Sequence, residues 1–266
     1  MTRIISVVNQ KGGVGKTTTA VNMATALAAI GKKVLIIDLD PQGNASTGLG
    51  IDQAQRQHTS YDVLVGASTL EQAALKTAIP RLFVAPATID LTGAEIELVT
   101  MENREYQLKH ALRHMPALWD YAIIDCPPSL GLLTINALTA SDAVLIPLQC
   151  EFYALEGLSH LLKTIRLIQT KLNPAIAIHG VVLTMYDRRN KLTEQIEADV
   201  RAFLGRDVYE TVIPRNVRIS EAPSHGKPAL VYDLKCPGSQ AYLRLAKELI
   251  QREKTFTTPT PNPKAA

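Results

Sequence analysis

One stretch near the start of the chain decides its fold, Ile4-Ile5-Ser6-Val7-Val8-Asn9-Gln10 followed directly by Lys11-Gly12-Gly13-Val14-Gly15-Lys16-Thr17-Thr18. The run from Ile4 to Val8 is rich in β-branched residues, which is typical of a buried strand. Helical spacing then runs from Lys16 to Ala29 and stops at Gly31, a glycine of the kind that ends helices. Glycines let successive backbone N–H groups converge on phosphate oxygens, and the positive end of the following helix faces the same anion. The stretch therefore predicts a phosphate-binding loop between a strand and a helix.

The polar residues of this loop have predicted roles. Lys16 would reach the β- and γ-phosphates of a nucleoside triphosphate, and the Thr17 hydroxyl would bind Mg²⁺. The alternative is a glycine turn that merely precedes a helix, and the strand, loop and helix in register argue against it. The residues predicted to bind the phosphates are Lys11, Gly12, Gly13, Val14, Gly15, Lys16, Thr17 and Thr18.

The rest of the chain alternates β-branched runs with amphipathic stretches. Its 266 residues suit one large α/β domain, and 46% hydrophobic residues with only 5% aromatics are typical of parallel sheets faced by helices. Further strands are predicted at Val34–Ile37, Leu82–Ala85, Tyr121–Asp125, Ala143–Pro147, Ile178–Thr184 and Val208–Ile213, and helices near Gly93–His114, Leu130–Thr139, Ala154–Leu172 and Glu194–Leu204. We expect a doubly wound, mostly parallel sheet with helices on both faces.

The predicted domain covers residues 1–252, and the Pro/Thr-rich residues 253–266 are predicted to be disordered. The net charge of +3 permits binding to an anionic polymer without requiring it. The three cysteines are widely spaced, which argues against a disulfide framework or a structural zinc site. We find no signal peptide and no apolar run long enough to span a bilayer, so a cytoplasmic location is expected.

Aspartates follow two of the predicted strands. Asp38 and Asp40 end the second strand, and Asp125 ends the strand from Tyr121. Ligands of parallel sheets bind at the carboxyl ends of the strands, where Asp125 would bind Mg²⁺ through water. An aspartate at a strand end can instead be a helix cap, and Asp40 before Pro41 can instead start a turn.

The loop departs from the usual phosphate-loop pattern, because Gln10 stands where the first glycine belongs and Lys11 follows it. It resembles the deviant Walker A motif of the family that includes the ParA/Soj partition ATPases, the cell-division regulator MinD and the nitrogenase iron protein. The resemblance implies ATP and Mg²⁺ as cofactors. It further implies that Lys11 reaches across a dimer interface to the partner's nucleotide, that Asp40 activates the attacking water, and that Asp38 supports the Mg²⁺ shell. Lys11, Lys16 and Asp40 are thus the predicted catalytic residues. A solvated surface lysine is the alternative for Lys11.

The same resemblance places the adenine pocket at late strand ends. The pocket maps onto Met185, Pro214 and Asn216. The Asn216 amide can hydrogen-bond the exocyclic amine of adenine, while Met185 and Pro214 provide apolar walls.

Three longer motifs resemble the ParA/Soj branch, Asp38–Asn44, Asp125–Gly131 and Ile213–Pro228, together with Ala94–Leu98. This resemblance implies a homodimer when ATP is bound, non-specific binding to double-stranded DNA, association with the nucleoid, and slow hydrolysis stimulated by a ParB-like partner. The result would be segregation or positioning of DNA. The predicted DNA contacts are Arg188, Arg189, Lys191, Arg215, Arg218, Lys227 and Lys235, with ordinary solvated side chains as the alternative for each.

Two rivals come from other branches. A MinD-like ATPase acting at a membrane needs an amphipathic helix at the C-terminus, whereas here the last predicted helix, near Ser239 to Arg252, leads into the Pro/Thr-rich tail. An iron-protein-like carrier needs paired cysteine ligands at the dimer interface. Cys126 beside Asp125 is suggestive, but no second cysteine is suitably placed.

Overall fold

The computed structural model describes residues 2–114 and 118–256. Its sheet has seven strands in the order β3-β4-β2-β5-β1-β6-β7. They are β1 (Arg3–Val7), β2 (Val34–Asp38), β3 (Leu75–Lys76), β4 (Leu82–Ala85), β5 (Tyr121–Asp125), β6 (Ala143–Gln149) and β7 (Ala177–Thr184). All neighbouring pairs are parallel except β3 with β4. The carboxyl ends of β2, β5, β1, β6 and β7 therefore meet at one edge of the sheet.

Helices connect the strands and cover both faces. They are α1 (Lys16–Ala29), α2 (Asn44–Gly48), α3 (Ser60–Leu64), α4 (Leu70–Ala73), α5 (Leu91–Leu98), α6 (Gln107–Arg113), α7 (Leu132–Ala140), α8 (Ala154–Lys171), α9 (Lys191–Leu204), α10 (Val217–Glu221), α11 (Ala229–Tyr232) and α12 (Pro237–Phe256). Short 3-10 turns lie at Gln53–Gln55, Gly205–Asp207 and Ala222–His225.

The strands are buried on both sides, as strand β2 shows. Leu35 and Ile37 pack into one core with helices α3 to α9, while Val34 and Ile36 pack into a second core with α1 and α12. This alternation follows from the two-residue period of a strand. The predicted doubly wound, mostly parallel fold with helices on both faces is confirmed.

Two predicted elements are wrong. The single helix predicted at Gly93–His114 is two helices, α5 and α6, because the intervening chain turns at Asn103, which has a left-handed φ of 52°. The strand predicted at Val208–Ile213 forms only an isolated bridge to Val181. Its amides at Glu210 and Thr211 donate instead to the Glu248 carboxylate, at 2.8 and 2.9 Å.

The predicted domain boundary at residue 252 is also too early, because α12 continues to Phe256. Glu253 on this helix accepts a hydrogen bond from Arg3 Nε at 3.1 Å, which attaches the end of α12 to β1. Residues 257–266 lie outside the described residues, so their disorder stays a prediction. Within the described part of the chain, no helix combines the length and apolarity that crossing a bilayer requires.

Candidate nucleotide-binding site

The predicted phosphate loop joins β1 to α1. Gly13 and Gly15 adopt left-handed φ values of 76° and 86°, which favour glycine, and Gly15 stands at the start of α1. Asn9 fixes the entry to the loop, because its Oδ1 accepts from Lys11 N at 3.0 Å and its Nδ2 donates to Pro147 O at 2.8 Å. Val14 O accepts a hydrogen bond from Thr184 Oγ1 at 2.8 Å. The loop is thus held by hydrogen bonds to residues near the ends of β6 and β7.

Lys16 lies at the centre of this loop and is only 6% exposed. Its Nζ donates to Lys11 O at 2.8 Å, so the ammonium folds back over the loop. Burial lowers the pKa of Lys16, and the Asp125 and Asp40 carboxylates pull the pKa the other way. A buried cation over converging backbone amides fits a bound polyanion.

Asp38 and Asp125 stand opposite each other in the β2–β5 register, and both are fully buried. Asp38 accepts hydrogen bonds from the backbone amide and the hydroxyl of Ser46, at 2.9 and 2.7 Å, and from Asp40 N at 3.2 Å. Burial still raises the pKa of Asp38 to about 6. By strict geometry neither carboxylate oxygen of Asp125 makes a hydrogen bond within the described residues, although the Thr17 hydroxyl lies near enough to act on its pKa. Burial, followed by the charge of Asp38, raises the pKa of Asp125 well above the usual range, and Thr17 lowers it only in part.

This pair of carboxylates fits a divalent cation. Two adjacent buried carboxylates are costly unless a cation or further donors offset their charge. Two carboxylates at adjacent strand ends, with the Thr17 hydroxyl in the first turn of α1, are the hard oxygen ligands that Mg²⁺ prefers. Thr17, Asp38 and Asp125, the three predicted metal residues, would hold it.

Asp40 follows β2 and is 8% exposed. Its Oδ1 accepts from Gln42 N at 3.0 Å and its carbonyl accepts from Gly43 N at 2.8 Å, so Asp40 does begin a turn. This turn holds the carboxylate at the same edge as the phosphate loop. The turn and the predicted catalytic role are therefore compatible, and the catalytic role stays a prediction.

The three residues predicted to bind adenine come together. Met185, Pro214 and Asn216 line a cavity of about 100 Å³ whose walls also include Gly15 and Thr18 of the phosphate loop. Met185 has a left-handed φ of 50°, a conformation that non-glycine residues adopt mainly where the surroundings impose it. Asn216 Oδ1 accepts from Arg218 N at 3.0 Å and caps α10.

Sequence reasoning missed several groups that hold the site. Ser46 orients Asp38, and Thr184 fastens the loop to β7. Lys11 Nζ lies 2.5 Å from the Glu151 carboxylate, a pair that no sequence spacing indicates. Ser46 could have been found, because it follows the quoted Asp38–Asn44 motif within one helical turn.

The predicted DNA contacts are all exposed and lie in two groups of segments after β7. The first group lies between β7 and the start of α9 and contains Arg188, Arg189 and Lys191. Arg215 lies beside this group, because its backbone N donates to Tyr186 O at 3.0 Å. The remaining three follow on or near α10 and α11, at Arg218, Lys227 and Lys235. Lys227 lines a separate cavity of about 260 Å³ that also includes Thr17 and Asn44.

Acidic neighbours offset part of this positive charge. Asp187 accepts two hydrogen bonds from the Arg189 guanidinium, at 2.9 and 2.8 Å, and these lower the pKa of Asp187 to about 2. Arg218 pairs with Glu221 at 2.9 Å and with Asp233 at 3.7 Å.

The cysteines bear on the iron-protein alternative. All three are free and buried. Burial raises the pKa of the Cys126 and Cys150 thiols, whereas metal ligands are thiolates. In residues 2–114 and 118–256 no group of three or more His, Cys, Asp or Glu side chains that could hold a metal ion is found, and the magnesium site above has only two such residues beside Thr17.

The fold and this site define a P-loop nucleotide-binding protein. A family model described as an AAA domain matches residues 2–178. The chain is 61% identical over 254 residues to the chromosome partitioning protein ParA of Caulobacter vibrioides (strain NA1000 / CB15N), covering 95% of each. It is 57% identical over 249 residues to the sporulation initiation inhibitor protein Soj of Bacillus subtilis (strain 168), covering 94% of this chain and 98% of Soj. The chain belongs to the ParA/Soj family of partitioning ATPases.

Solved structures agree with this assignment of the fold. One described as cobyrinic acid a,c-diamide synthase from Mycobacterium smegmatis with bound ADP and magnesium is 38% identical, with a TM-score of 0.85, and covers 99% of this chain and 100% of that chain. The cell division ATPase MinD of Pyrococcus furiosus is 30% identical, with a TM-score of 0.78, and covers 94% of this chain and 99% of that chain.

Proposed function

We propose that this chain is a DNA-partitioning ATPase that binds MgATP, pairs with a second copy around the nucleotide, binds DNA without sequence preference, and hydrolyses ATP when a ParB-like partner stimulates it. The observation that carries the proposal is the buried Asp125 carboxylate beside Asp38, with the Thr17 hydroxyl near it and at the same strand edge as Lys16. These groups complement a triphosphate with its metal. The relatives named for chromosome partitioning support the cellular role.

The phosphate loop would hold the triphosphate. The backbone amides from Gly12 onward and the start of α1 face the phosphate oxygens, and Lys16 exchanges the Lys11 carbonyl for the β- and γ-phosphates. Thr17, Asp38 and Asp125 would hold Mg²⁺, which when bound would supply positive charge beside the transferred phosphoryl group. The M. smegmatis neighbour described with bound ADP and magnesium supports ATP and Mg²⁺ as the cofactors of this chain.

Hydrolysis requires a positioned water. Asp40 is held by its turn at the loop edge and would orient that water and accept its proton. Lys11 of a second copy would stabilise the charge on the phosphates, so turnover would depend on the dimer.

DNA binding would depend on the dimer. A single chain offers exposed arginines that acidic neighbours partly neutralise. Pairing two copies doubles the number of phosphate contacts, and the affinity for DNA rises steeply with that number. ATP-dependent dimerisation would therefore switch DNA binding on. Stimulated hydrolysis would separate the two copies and release the protein from the DNA of the nucleoid.

The MinD-like alternative requires an amphipathic helix whose apolar face is free to lie on a membrane. On α12, Ala241, Leu245 and Leu249 are fully buried in the core that they share with α1. This apolar face is thus occupied by the protein itself and does not lie free for a lipid surface.

DNA co-sedimentation tests the proposal. The full chain is sedimented with linear DNA in the presence of MgATP, MgADP or no nucleotide, at several salt concentrations. We expect retention with MgATP alone and a steep loss with rising salt. Equal retention in all three conditions would contradict the nucleotide switch, and pelleting with liposomes but not with DNA would favour the MinD-like alternative.

A further inference from the structure

A buried arginine lies in the connection between α2 and α3. Arg56 is only 7% exposed, and its four hydrogen bonds within the described part of the chain all go to neutral oxygens. The acceptors are Ile51 O, at 3.2 Å from Nε and 2.8 Å from Nη2, Ala87 O, at 2.9 Å from Nη1, and Thr47 Oγ1, at 2.9 Å from Nη2. Burying a cation is costly, but the planar guanidinium fork can fix several acceptors at once, which a neutral side chain cannot.

The three acceptors belong to segments that surround the proposed catalytic aspartates. Thr47 is on α2, Ile51 follows α2, and Ala87 follows β4. Strand β4 is the neighbour of β2, the strand that ends at Asp38. Arg56 therefore ties α2 and the chain after it to the end of the strand next to the site.

The turn that carries Asp40 lies directly against this guanidinium. Gly43, whose amide closes the turn by donating to Asp40 O at 2.8 Å, has a left-handed φ of 61°. A Cβ at this position would come within 2.5 Å of Arg56 Nη1 and 2.9 Å of Ala87 O. Thr47 Oγ1, which accepts from Arg56, donates in turn to Gly43 O at 3.0 Å. The arginine thus supports the turn through a close contact and through a chain of hydrogen bonds.

The same network reaches Asp38. The Ser46 hydroxyl donates to the Asp38 carboxylate at 2.7 Å and accepts from Ala87 N at 3.1 Å. Ala87 is therefore held by Ser46 through its amide and by Arg56 through its carbonyl. Burial lowers the pKa of Arg56, and the nearby Asp38 charge opposes this shift. Helix α2 is thus fixed between the aspartate and the arginine.

We propose that Arg56 is a positioning residue for hydrolysis, holding the Asp40 turn and helix α2 in the geometry that the attacking water and the metal require. The inference rests on the proposed ATPase activity and on the proposed roles of Asp40 and Asp38, through which Arg56 acts. A displacement of about 1 Å in a catalytic group can slow a reaction about 10²-fold, so a support of this kind matters even without contact with the nucleotide.

The test replaces the guanidinium in the full chain with R56M, which keeps an unbranched side chain and removes the donors. Single-turnover hydrolysis of ATP by excess protein, well under the melting temperature, should slow about tenfold or more. Affinity for MgADP by calorimetry should stay within about threefold of the wild type, because Asn9 and Thr184 hold the phosphate loop. Dimerisation with a non-hydrolysable analogue should also stay within about threefold, which separates positioning from assembly.

The matched control is R252M on α12. Its guanidinium also donates to carbonyls, Arg206 O at 3.0 Å and Val208 O at 2.7 Å, but these lie in the segment after α9. Both variants should melt at a lower temperature than the wild type, and only R56M should lose hydrolysis. Equal losses of rate in the two variants would reduce Arg56 to general stabilisation of the fold and overturn the inference.

A milder variant keeps the test decisive should R56M fold poorly. T47V removes only the hydroxyl that links Arg56 to Gly43 O, and it should slow hydrolysis about fivefold, the size of one lost hydrogen bond. T170V is its control, because Thr170 on α8 is also exposed and also donates to a carbonyl four residues earlier, at 2.8 Å. Its rate should match that of the wild type.

The remaining outcomes separate the two proposals. Wild-type rates in both R56M and T47V would refute the positioning role while leaving the proposed ATPase intact. A wild-type chain that binds MgATP without hydrolysing it would refute the proposed activity and, with it, this inference.

Discussion

The phosphate loop and the basic segments, residues 186–191 and 214–235, lie at the same edge of the sheet but are built differently. The polar groups around the loop are buried and are positioned by strand register, as Asp38 opposite Asp125 shows. The cations of the basic segments are exposed, and some pair with neighbouring acids, as Arg189 does with Asp187. If both proposed functions hold, chemistry on the phosphates should depend on a few irreplaceable atoms, whereas DNA binding should depend on the sum of many charges.

The largest expected effect tests the irreplaceable side of this comparison. In Asp40→Ala, stimulated ATP hydrolysis should fall about 10²-fold or more, because the carboxylate that we propose to orient the water is lost. ATP affinity should be retained, since Asp40 is outside the phosphate loop, and an ATP-bound dimer should accumulate. Phosphate release and sedimentation measure the two effects. Hydrolysis at the wild-type rate would refute the catalytic role and show that Asp40 serves only to form the turn with Gly43.

Lys11→Ala should give the next largest effect. The proposed ATP-dependent dimer should dissociate about a hundredfold more readily, because each copy would lose the cation that we propose to contact the other's phosphates. ADP affinity should change little, because the Lys11 amide and carbonyl that shape the loop remain. Light scattering with MgATP measures dimerisation. A variant that dimerises as strongly as the wild type would make Lys11 an ordinary surface lysine held by Glu151.

Arg218→Glu tests whether DNA binding depends on the sum of exposed charges. DNA retention at low salt should fall about tenfold, and the salt dependence should weaken, because each dimer loses two phosphate contacts and gains two repulsive charges. The introduced carboxylate also faces Glu221 and Asp233. ATPase activity without DNA should be unchanged. The control is Arg166→Glu, an equally exposed site on α8 away from the basic segments. Equal losses in both variants would mean that net charge alone sets DNA affinity.

The same contrast explains what the sequence could predict. The strand, loop and helix around Gly12–Thr17 were predictable, and α1 has the predicted bounds Lys16–Ala29, because periodicity and glycine spacing are local signals. The meeting of Asp38 with Asp125 was predictable because parallel strands end at a common edge.

Contacts between distant segments were not predictable. The Lys11–Glu151 pair joins side chains whose spacing carries no pattern. The segment predicted as a strand at Val208–Ile213 has strand-like residues, but the Glu248 carboxylate takes two of its amides. The break between α5 and α6 depends on a left-handed Asn103, which a helical pattern does not show.

The smallest expected effect concerns stability and has an unusual sign. In the nucleotide-free chain, burial raises the pKa of Asp38 to about 6 and raises the pKa of Asp125 well above its usual range. The native state therefore holds protons that the unfolded chain releases, so the free energy of unfolding should fall as pH rises from about 4 through 6 and beyond.

Asp125→Asn removes one of the two buried charges. It should raise the melting temperature of the nucleotide-free protein near pH 7 by a few degrees and flatten its pH dependence, while abolishing stabilisation by Mg²⁺ with nucleotide. Calorimetric melts across this pH range, with Asp199→Asn on the exposed face of α9 as the control, measure both effects. If Asp125→Asn melted lower than the wild type at every pH, the buried carboxylate would be a structural group, and the metal site would lose its main support.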